Sequence, residues 1–354
     1  MQPAVWILHR DAGPESGLLE RWLADLRAAN AARLRDGFAA AGADADVLVS
    51  PPDDTPFGAR LRALAEGRPR DEGLVVVGSG ALPLASRADL AAFVAVAASG
   101  ERRALANDRF SADVVAIGRA DVLEGLPDLP GDNALPRWLA EVAKVEVADL
   151  RRRRRLAMDL DSPLDAVLCG LAGEPPIDDG LAAVLVRLTR LRKVARDRRA
   201  ELVVAGRLGS ATLAWLERST ASRTRAIVEE RGLRAASALA RSDGLAPRRP
   251  PRSLLGALLD REGPGALGTI LAGLGDGAFV DTRVLLAHRL GADERAWPPA
   301  EDRFASDLLL GFRVRDPWLR ALTLSAATAP IPVLLGGHSL VGPGIPLALG
   351  RGPT

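Results

Sequence analysis

Short apolar runs recur along this chain, and between them lie longer stretches whose apolar residues fall at helical spacing. Val5-Trp-Ile-Leu8, Asp46-Val-Leu-Val-Ser50 and Gly73-Leu-Val-Val-Val-Gly78 are continuous runs. That suits strands buried on both faces better than half-solvated ones. Between the first two, residues 16–41 carry Leu18, Leu19, Trp22, Leu23, Leu26, Ala29, Leu34 and Phe38 on one stripe, which Gly42 ends. Residues 58–66, 86–98 and 133–144 read as further helices, and 112–117, 145–150 and 156–161 as further strands. Strands that alternate with helices bury themselves in a mostly parallel sheet covered on both faces, so the expected class is α/β.

The alternation then starts again. Residues 162–200 are helical and arginine-rich, broken at Gly173-Glu-Pro-Pro176. Beyond them come a strand over 201–206, a helix over 210–219, a strand over 225–228, helices over 253–274, a strand over 278–286, a helix over 316–328 and a strand over 331–335. The run Ala246-Pro-Arg-Arg-Pro-Pro-Arg252 reads as a solvated loop. A chain of 354 residues exceeds what one core usually holds. We therefore expect one α/β domain over 1–170, a helical linker over 171–200 and a second α/β domain over 201–354. Asn107-Asp-Arg-Phe-Ser-Ala-Asp113 echoes Glu301-Asp-Arg-Phe-Ala-Ser-Asp307, either as a duplicated site or as coincidence in a chain rich in these residues.

Composition removes several function classes. The one cysteine, Cys169, excludes an intramolecular disulfide framework and a cysteine zinc site. Positive and negative residues nearly balance, at 47 against 45, and aromatics are 4%. A nucleic-acid binder concentrates its charge and offers stacking platforms, so no nucleic-acid partner is expected. The lysines are Lys144 and Lys193, an arginine preference that fits a GC-rich genome. No segment offers about 18 uninterrupted apolar residues. The apolar run at the N-terminus is short for a signal peptide and follows no basic residue. A cytoplasmic protein without a membrane partner is expected.

Three segments of the first half carry a resemblance. Leu74-Val-Val-Val77 leads into Gly78-Ser-Gly-Ala-Leu-Pro83-Leu84, with Asp89-Leu90 in the helix beyond; Asn107-Asp-Arg-Phe-Ser-Ala-Asp113 comes next; Met158-Asp159-Leu-Asp161-Ser-Pro163-Leu-Asp165 closes the series. In this order they resemble the glycosyltransferase-A-like nucleotidyltransferases, nearest the guanylyltransferases of deazaflavin- and molybdenum-cofactor biosynthesis. The resemblance covers about residues 1–170. It implies a GT-A, Rossmann-like sheet of the nucleotide-diphospho-sugar-transferase kind, and a nucleotide or phosphorylated metabolite as ligand. It implies nucleotide contacts at Arg10 and Gly13 of the first loop and at Gly78, Ser79 and Gly80, with Mg2+ on Asp159 and Asp161. Two departures accompany it. Ala81 stands where the family carries a magnesium-binding aspartate, and alanine offers no oxygen donor. The first loop, His9-Arg10-Asp11-Ala12-Gly13-Pro14-Glu15-Ser16-Gly17, lacks the family's lysine. The resemblance and its departures together imply a nucleotidyltransferase-like protein with partly lost catalytic motifs. The alternative is a non-catalytic binder of nucleotides or sugar phosphates.

The residues allow readings of their own. Asp159 and Asp161, spaced i, i+2 at a strand end, would point to one side and could share a divalent cation; otherwise they serve local structure. Ser162-Pro163-Leu-Asp165 is a capping box that opens a helix. Asp132 and Asn133 either contact an acceptor or cap the next helix, and Arg151 to Arg155 read as a solvated turn. In the second half, Gly206-Arg207-Leu-Gly-Ser210 is a small-residue turn that opens a helix, and Glu229-Glu-Arg-Gly232 comes after another strand. Asp281 and Arg283 sit in the strand over 278–286, and Leu334-Leu-Gly336-Gly-His338-Ser339 ends the last strand. Ligand crevices of open α/β sheets lie at the carboxyl ends of the strands. Arg207, Ser210, Asp281, Arg283, His338 and Ser339 are therefore candidates for a second pocket that suits an anion, with an unrelated small-molecule activity as its function. In the alternative reading, Asp281 and Arg283 pair with each other and hold the strand, and His338 is a turn histidine satisfied by backbone. The hydrolase elbow Gly-x-Ser-x-Gly is absent from the sequence.

Overall fold

The structure, a computed structural model, describes residues 2–50, 55–173, 176–229 and 249–350. It forms two compact units: Met1–Ser16 with Leu23–Leu160, and Gly17–Trp22 with Asp161–Pro353. The division falls at Leu160/Asp161, not within 170–200. The helices α5 (Pro163–Cys169) and α6 (Asp178–Val194), expected to end the first domain and form the linker, pack on second-unit elements instead.

The first unit holds β1 (Ala4–Arg10), β2 (Asp44–Ser50), β3 (Leu74–Gly78), β4 (Arg103–Ala106), β5 (Val114–Ile117) and β6 (Glu146–Asp149), with α1 (Leu18–Ala40), α2 (Phe57–Ala65), α3 (Arg87–Ala97) and α4 (Leu135–Glu141). The sheet order is β2-β1-β3-β5-β4-β6. All neighbours run parallel except β5, which is antiparallel to β3 and β4. Side chains alternate between the faces. Val5, Ile7, Val75 and Val77 meet Leu34 and Phe38 of α1 and Leu90 and Phe93 of α3 on one face. Ala4, Trp6, Leu74 and Val76 meet Leu61 of α2 and Leu135 and Leu139 of α4 on the other. Each such large side chain stabilises by about 1.5–3 kcal/mol on burial.

Two expectations fail here. The alanine-rich β4 has weak strand preference, so the sequence gives no sign of it. Residues 156–161 form no sheet strand: Arg154–Ala157 is a 3-10 turn, and Asp159 makes one isolated antiparallel bridge with Ala81. Leu156, Met158 and Leu160 are buried at strand-like period two, yet the Leu160 N–H donates to the Gly80 carbonyl rather than into a ladder.

The second unit holds β7 (Glu201–Gly206), β8 (Arg223–Val228), β9 (Gly277–Asp281) and β10 (Val333–Gly336), all parallel, in the order β10-β9-β7-β8. Its further helices are α7 (Ser210–Ser219), α8 (Leu254–Glu262), α9 (Leu267–Ala272), α10 (Thr282–Leu290), α11 (Ala300–Asp307), α12 (Pro317–Thr328), α13 (His338–Val341) and α14 (Gly344–Ala348). Counted from β8, this is the 2-1-3-4 order of a doubly wound sheet, with its switch point between β7 and β9. The strand expected over 278–286 stops at Asp281, whose carboxylate accepts the Arg283 N–H and caps α10. The two echoing segments differ in structure: 107–113 connects β4 to β5, while 301–307 lies in α11. Residues 230–232 of the Glu229 segment, 246–248 of the Pro/Arg run, 51–54 and 174–175 lie outside the described residues. Among the described residues, no helix is long and apolar enough to cross a membrane.

Candidate functional site

In the first unit β1 and β3 are neighbours, and β1 is flanked by β2 on its other side, so the chain's winding reverses between them. A cleft of about 210 Å³ opens at their carboxyl ends, lined by Leu8, Arg10, Arg27, Gly78, Ser79, Gly80, Ala81, Asp113, Asp132 and Asp159. Such switch points are where open α/β sheets bind ligands.

The turn after β3 is held from α1. Asn30 donates through Nδ2 to the carbonyls of Ser79 and Ala81, at 2.8 and 2.9 Å. Arg33 donates to the Leu82 carbonyl at 2.6 Å and to Asn30 Oδ1. Leu82 has φ +54°, a conformation costly for a branched residue, and these donors keep it there. Ser79 is buried with its hydroxyl 3.0 Å from His9 Nδ1, and His9 Nε2 lies 3.2 Å from Asp11. Gly80 leaves the space that Asp159 needs: a Cβ there would stand 2.7 Å from Asp159 Oδ1 and 3.2 Å from Arg27 Nε. Arg27 donates through Nε to the Leu160 carbonyl at 2.7 Å.

Arg10, Gly78, Ser79, Gly80 and Asp159 thus come together as expected residues of one cleft, while Gly13 turns away into a bend in which its carbonyl accepts the Ser16 N–H. Asp161 does not join them. It belongs to the second unit, is exposed, and donates its backbone N–H to Asp165. The expected i, i+2 pairing fails because the segment is not a strand. Asp132 lines the cleft rather than capping α4, whose N-cap, Ala134, offers no side-chain bond. Among the described residues, no three His, Cys, Asp or Glu side chains converge closely enough to hold a metal ion. With Ala81 donating nothing, the residues present do not fit the magnesium site that the resemblance implies.

The arginine run begins as the expected solvated turn, with Arg151 and Arg152 exposed, but Arg153 and Arg155 form a clamp. Arg155 reaches buried Asp89 at 2.7 and 2.8 Å, and Arg153 reaches it at 2.8 Å. Burial raises the Asp89 carboxyl, but Arg155, Ser86 and Arg153 together hold it well below the usual carboxylate range. These two arginines are spent on packing α3, not on a ligand.

In the second unit the expected residues do gather at the carboxyl ends of β7, β9 and β10, but as closed pairs. Arg207 holds Asp281 at 2.6 and 3.1 Å. Arg283 holds Asp307 at 2.5 and 2.6 Å and donates to Thr282 Oγ1, which itself reaches the Gly336 carbonyl. Asp281 and Arg283 do not pair with each other through their side chains; each has another partner. Burial works against the Arg283 charge, and Asp307, with smaller help from Asp281 and Asp165, more than offsets it. Gly206 has φ +133°, and a Cβ there would meet Asp281 Cβ at 2.2 Å, so only glycine fits beneath the capping aspartate. Ser339 is buried, whereas His338 and Ser210 are exposed at the starts of α13 and α7. The capping box is as expected: Asp165 accepts the Ser162 N–H and hydroxyl at 2.7 and 2.9 Å.

Sequence reasoning missed Arg27, Asn30, Arg33 and His9. The first three recur at i, i+3 on α1, and that spacing was the available signal, diluted by Glu20, Arg21, Asp25, Arg35 and Asp36 elsewhere on the helix. No protein-family model, curated protein or solved structure matches this chain. Geometry alone therefore carries the functional reading.

Proposed function

We propose that the first unit binds a nucleotide or another phosphorylated metabolite in the cleft between the ends of β1 and β3. The observation that carries this is the convergence of two arginines, Arg10 and Arg27, with Asp113, Asp132 and Asp159 around an open space at a switch point. Guanidinium groups match phosphate oxygens in fork geometry, and carboxylates accept from the hydroxyls of a ribose or sugar. The mostly parallel sheet with one reversed strand suits the GT-A-like resemblance and supports the same reading. Nucleotidyl transfer is not part of the proposal, because Ala81 and the displaced Asp161 leave no metal pair.

Titration calorimetry of the full chain with guanine and adenine nucleotides and with sugar phosphates, each with and without Mg2+, tests this. We expect saturable binding by at least one phosphorylated ligand, little altered by Mg2+. Arg10→Ala should weaken it about tenfold, the worth of one charge-assisted bond. Absence of binding at millimolar ligand would overturn the proposal. A large gain of affinity with Mg2+ would restore the metal-dependent reading.

A further inference from the structure

The second unit has a cavity at the opposite end of its sheet from the closed pairs. Its volume is about 240 Å³, and it is lined by Arg192, Arg196, Trp215 and Arg218 with the backbone turn Ser219 to Ala221 and Leu349. The end of α6 leads into β7 and the end of α7 leads into β8, so the two helix ends converge at the amino ends of neighbouring strands. The Ala221 N–H donates to the Ala195 carbonyl at 2.8 Å, which fixes the turn against the end of α6.

Three guanidinium groups share this wall, and among the described residues no carboxylate lines it. Arg192 is anchored, its Nε donating to the Ala348 carbonyl at 2.9 Å. Arg196 lies four residues further on, a spacing at which like charges repel. Among the described residues, the side chains of Arg196 and Arg218 make no ion pair and no hydrogen bond. Of the carboxylates next in the chain to this wall, Asp197 pairs with Arg199 and Glu201 with Arg225, while Glu217 is exposed on α7 and is not part of the lining. The next residue of the turn, Ser222, is buried with an unbonded hydroxyl. Arginines near helix ends also complement the helix dipole, which is the bland account of this cluster. That account explains one cation per helix end. It does not explain a concave site in which three converge beside a half-buried indole.

We propose that this cavity is a second anion site, which takes a small phosphate-bearing molecule with its phosphate on Arg192, Arg196 and Arg218 and its organic part against Trp215. The volume lies just under the usual range for drug-sized ligands, which suits a diphosphate or a small phosphate ester. Planar forks that converge from several directions select tetrahedral phosphate oxygens over a single flat carboxylate. The site is independent of the cleft in the first unit and would stand if that cleft bound nothing.

The test uses the full chain at low ionic strength, because exposed charges are screened by salt. Binding of pyrophosphate is measured by calorimetry and by thermal shift, with citrate at matched ionic strength beside it. We expect saturable pyrophosphate binding, with citrate giving less than half the thermal shift. Arg196→Ala/Arg218→Ala should weaken pyrophosphate about a hundredfold, tenfold for each charge-assisted contact. The unliganded double variant should melt within about 2 °C of the wild-type chain, since surface substitutions without partners cost little. Arg10→Ala should leave this binding intact. Pyrophosphate affinity unchanged in the double variant overturns the site. So does loss of binding in Arg10→Ala with retention in the double variant, which would assign the anion to the first unit. Equal shifts from citrate and pyrophosphate overturn the phosphate assignment.

Discussion

The two sheets place charged residues at equivalent positions and use them in opposite ways. In the first unit Arg10, Arg27 and Asp159 stand around an open cleft at the ends of β1 and β3. In the second unit Arg207 and Asp281 at the ends of β7 and β9 close on each other, and Arg283 closes on Asp307. A topological switch point makes a crevice available. Whether the crevice serves a ligand depends on whether the side chains that reach it leave a space between them. Buried ions closed on each other fill the crevice and hold the fold in one arrangement; side chains that line an open cavity leave room for a ligand.

The strongest way to break this comparison is to remove one carboxylate from each side. Asp307→Ala leaves Arg283 buried without its partner, and we expect a loss of about 3–5 kcal/mol. Asp159 is half-buried, and its Oδ1 accepts the N–H of its neighbour Leu160. Asp159→Ala, at a half-buried rather than a buried carboxylate, should cost less, about 1–2 kcal/mol, while abolishing ligand binding in the cleft. Urea denaturation monitored by circular dichroism measures both. Equal costs would mean that the first cleft is as structural as the second.

The glycines sharpen the same contrast. Gly206→Ala asks for a strained φ and drives a methyl group into Asp281 Cβ, a backbone-anchored neighbour. We expect a loss of about 2–3 kcal/mol. At Gly80 the nearest obstacle is a carboxylate oxygen of Asp159, the end of a side chain that can turn away. Gly80→Ala should cost about 1 kcal/mol or less, yet lower cleft affinity because Asp159 has moved. Melting temperatures together with calorimetry separate the two outcomes, and a Gly206→Ala protein as stable as wild type would remove the steric account.

The sequence showed the sheet-and-helix class because buried parallel strands such as 74–78 are continuous apolar runs. It misplaced what depends on hydrogen bonding rather than apolarity. Leu156, Met158 and Leu160 mimic a strand because alternate burial also occurs in a loop pressed into a core. Asp281 reads as mid-strand because apolar residues resume at Val284 after Asp281-Thr-Arg283, and only the cap reveals the change. At the sites, position along a strand was legible and pairing was not. Arg207 and Arg283 look like free cations until their carboxylate partners, 74 and 24 residues away, are seen beside them. The arginine cavity of the second unit had no sequence signature, since it joins two helix ends that meet only in the folded sheet.

The third contrast is between two buried carboxylates, Asp89 in the first unit and Asp165 in the second. Both receive capping-box bonds from a serine, Ser86 and Ser162. Asp89 also faces two arginines, and its carboxyl is held below the usual range. Among the described residues no arginine donates to Asp165; burial, then Asp161 and in smaller part Asp307, pushes it up to about 8 from 3.8, against the Ser162 bonds. The signs of the two pH effects are therefore opposite. Where the folded pKa is lowered, the unfolded chain binds more protons, so the Asp89 contribution is present above about pH 4 and lost as pH falls. Where it is raised, the folded chain binds the proton. The Asp165 contribution is complete below about pH 4 and is lost as pH rises towards 8, at no more than about 1.4 kcal/mol per pH unit. Asp165→Asn keeps the neutral shape of the protonated acid without the titration. In urea titrations from pH 5 to pH 8, we expect the midpoint of the wild-type chain to fall and that of Asp165→Asn to stay closer to level. A wild-type midpoint that rises over this range, or a variant that falls just as steeply, would show that Asp165 is ionised in the folded chain and that its serine bonds do the work that arginines do for Asp89.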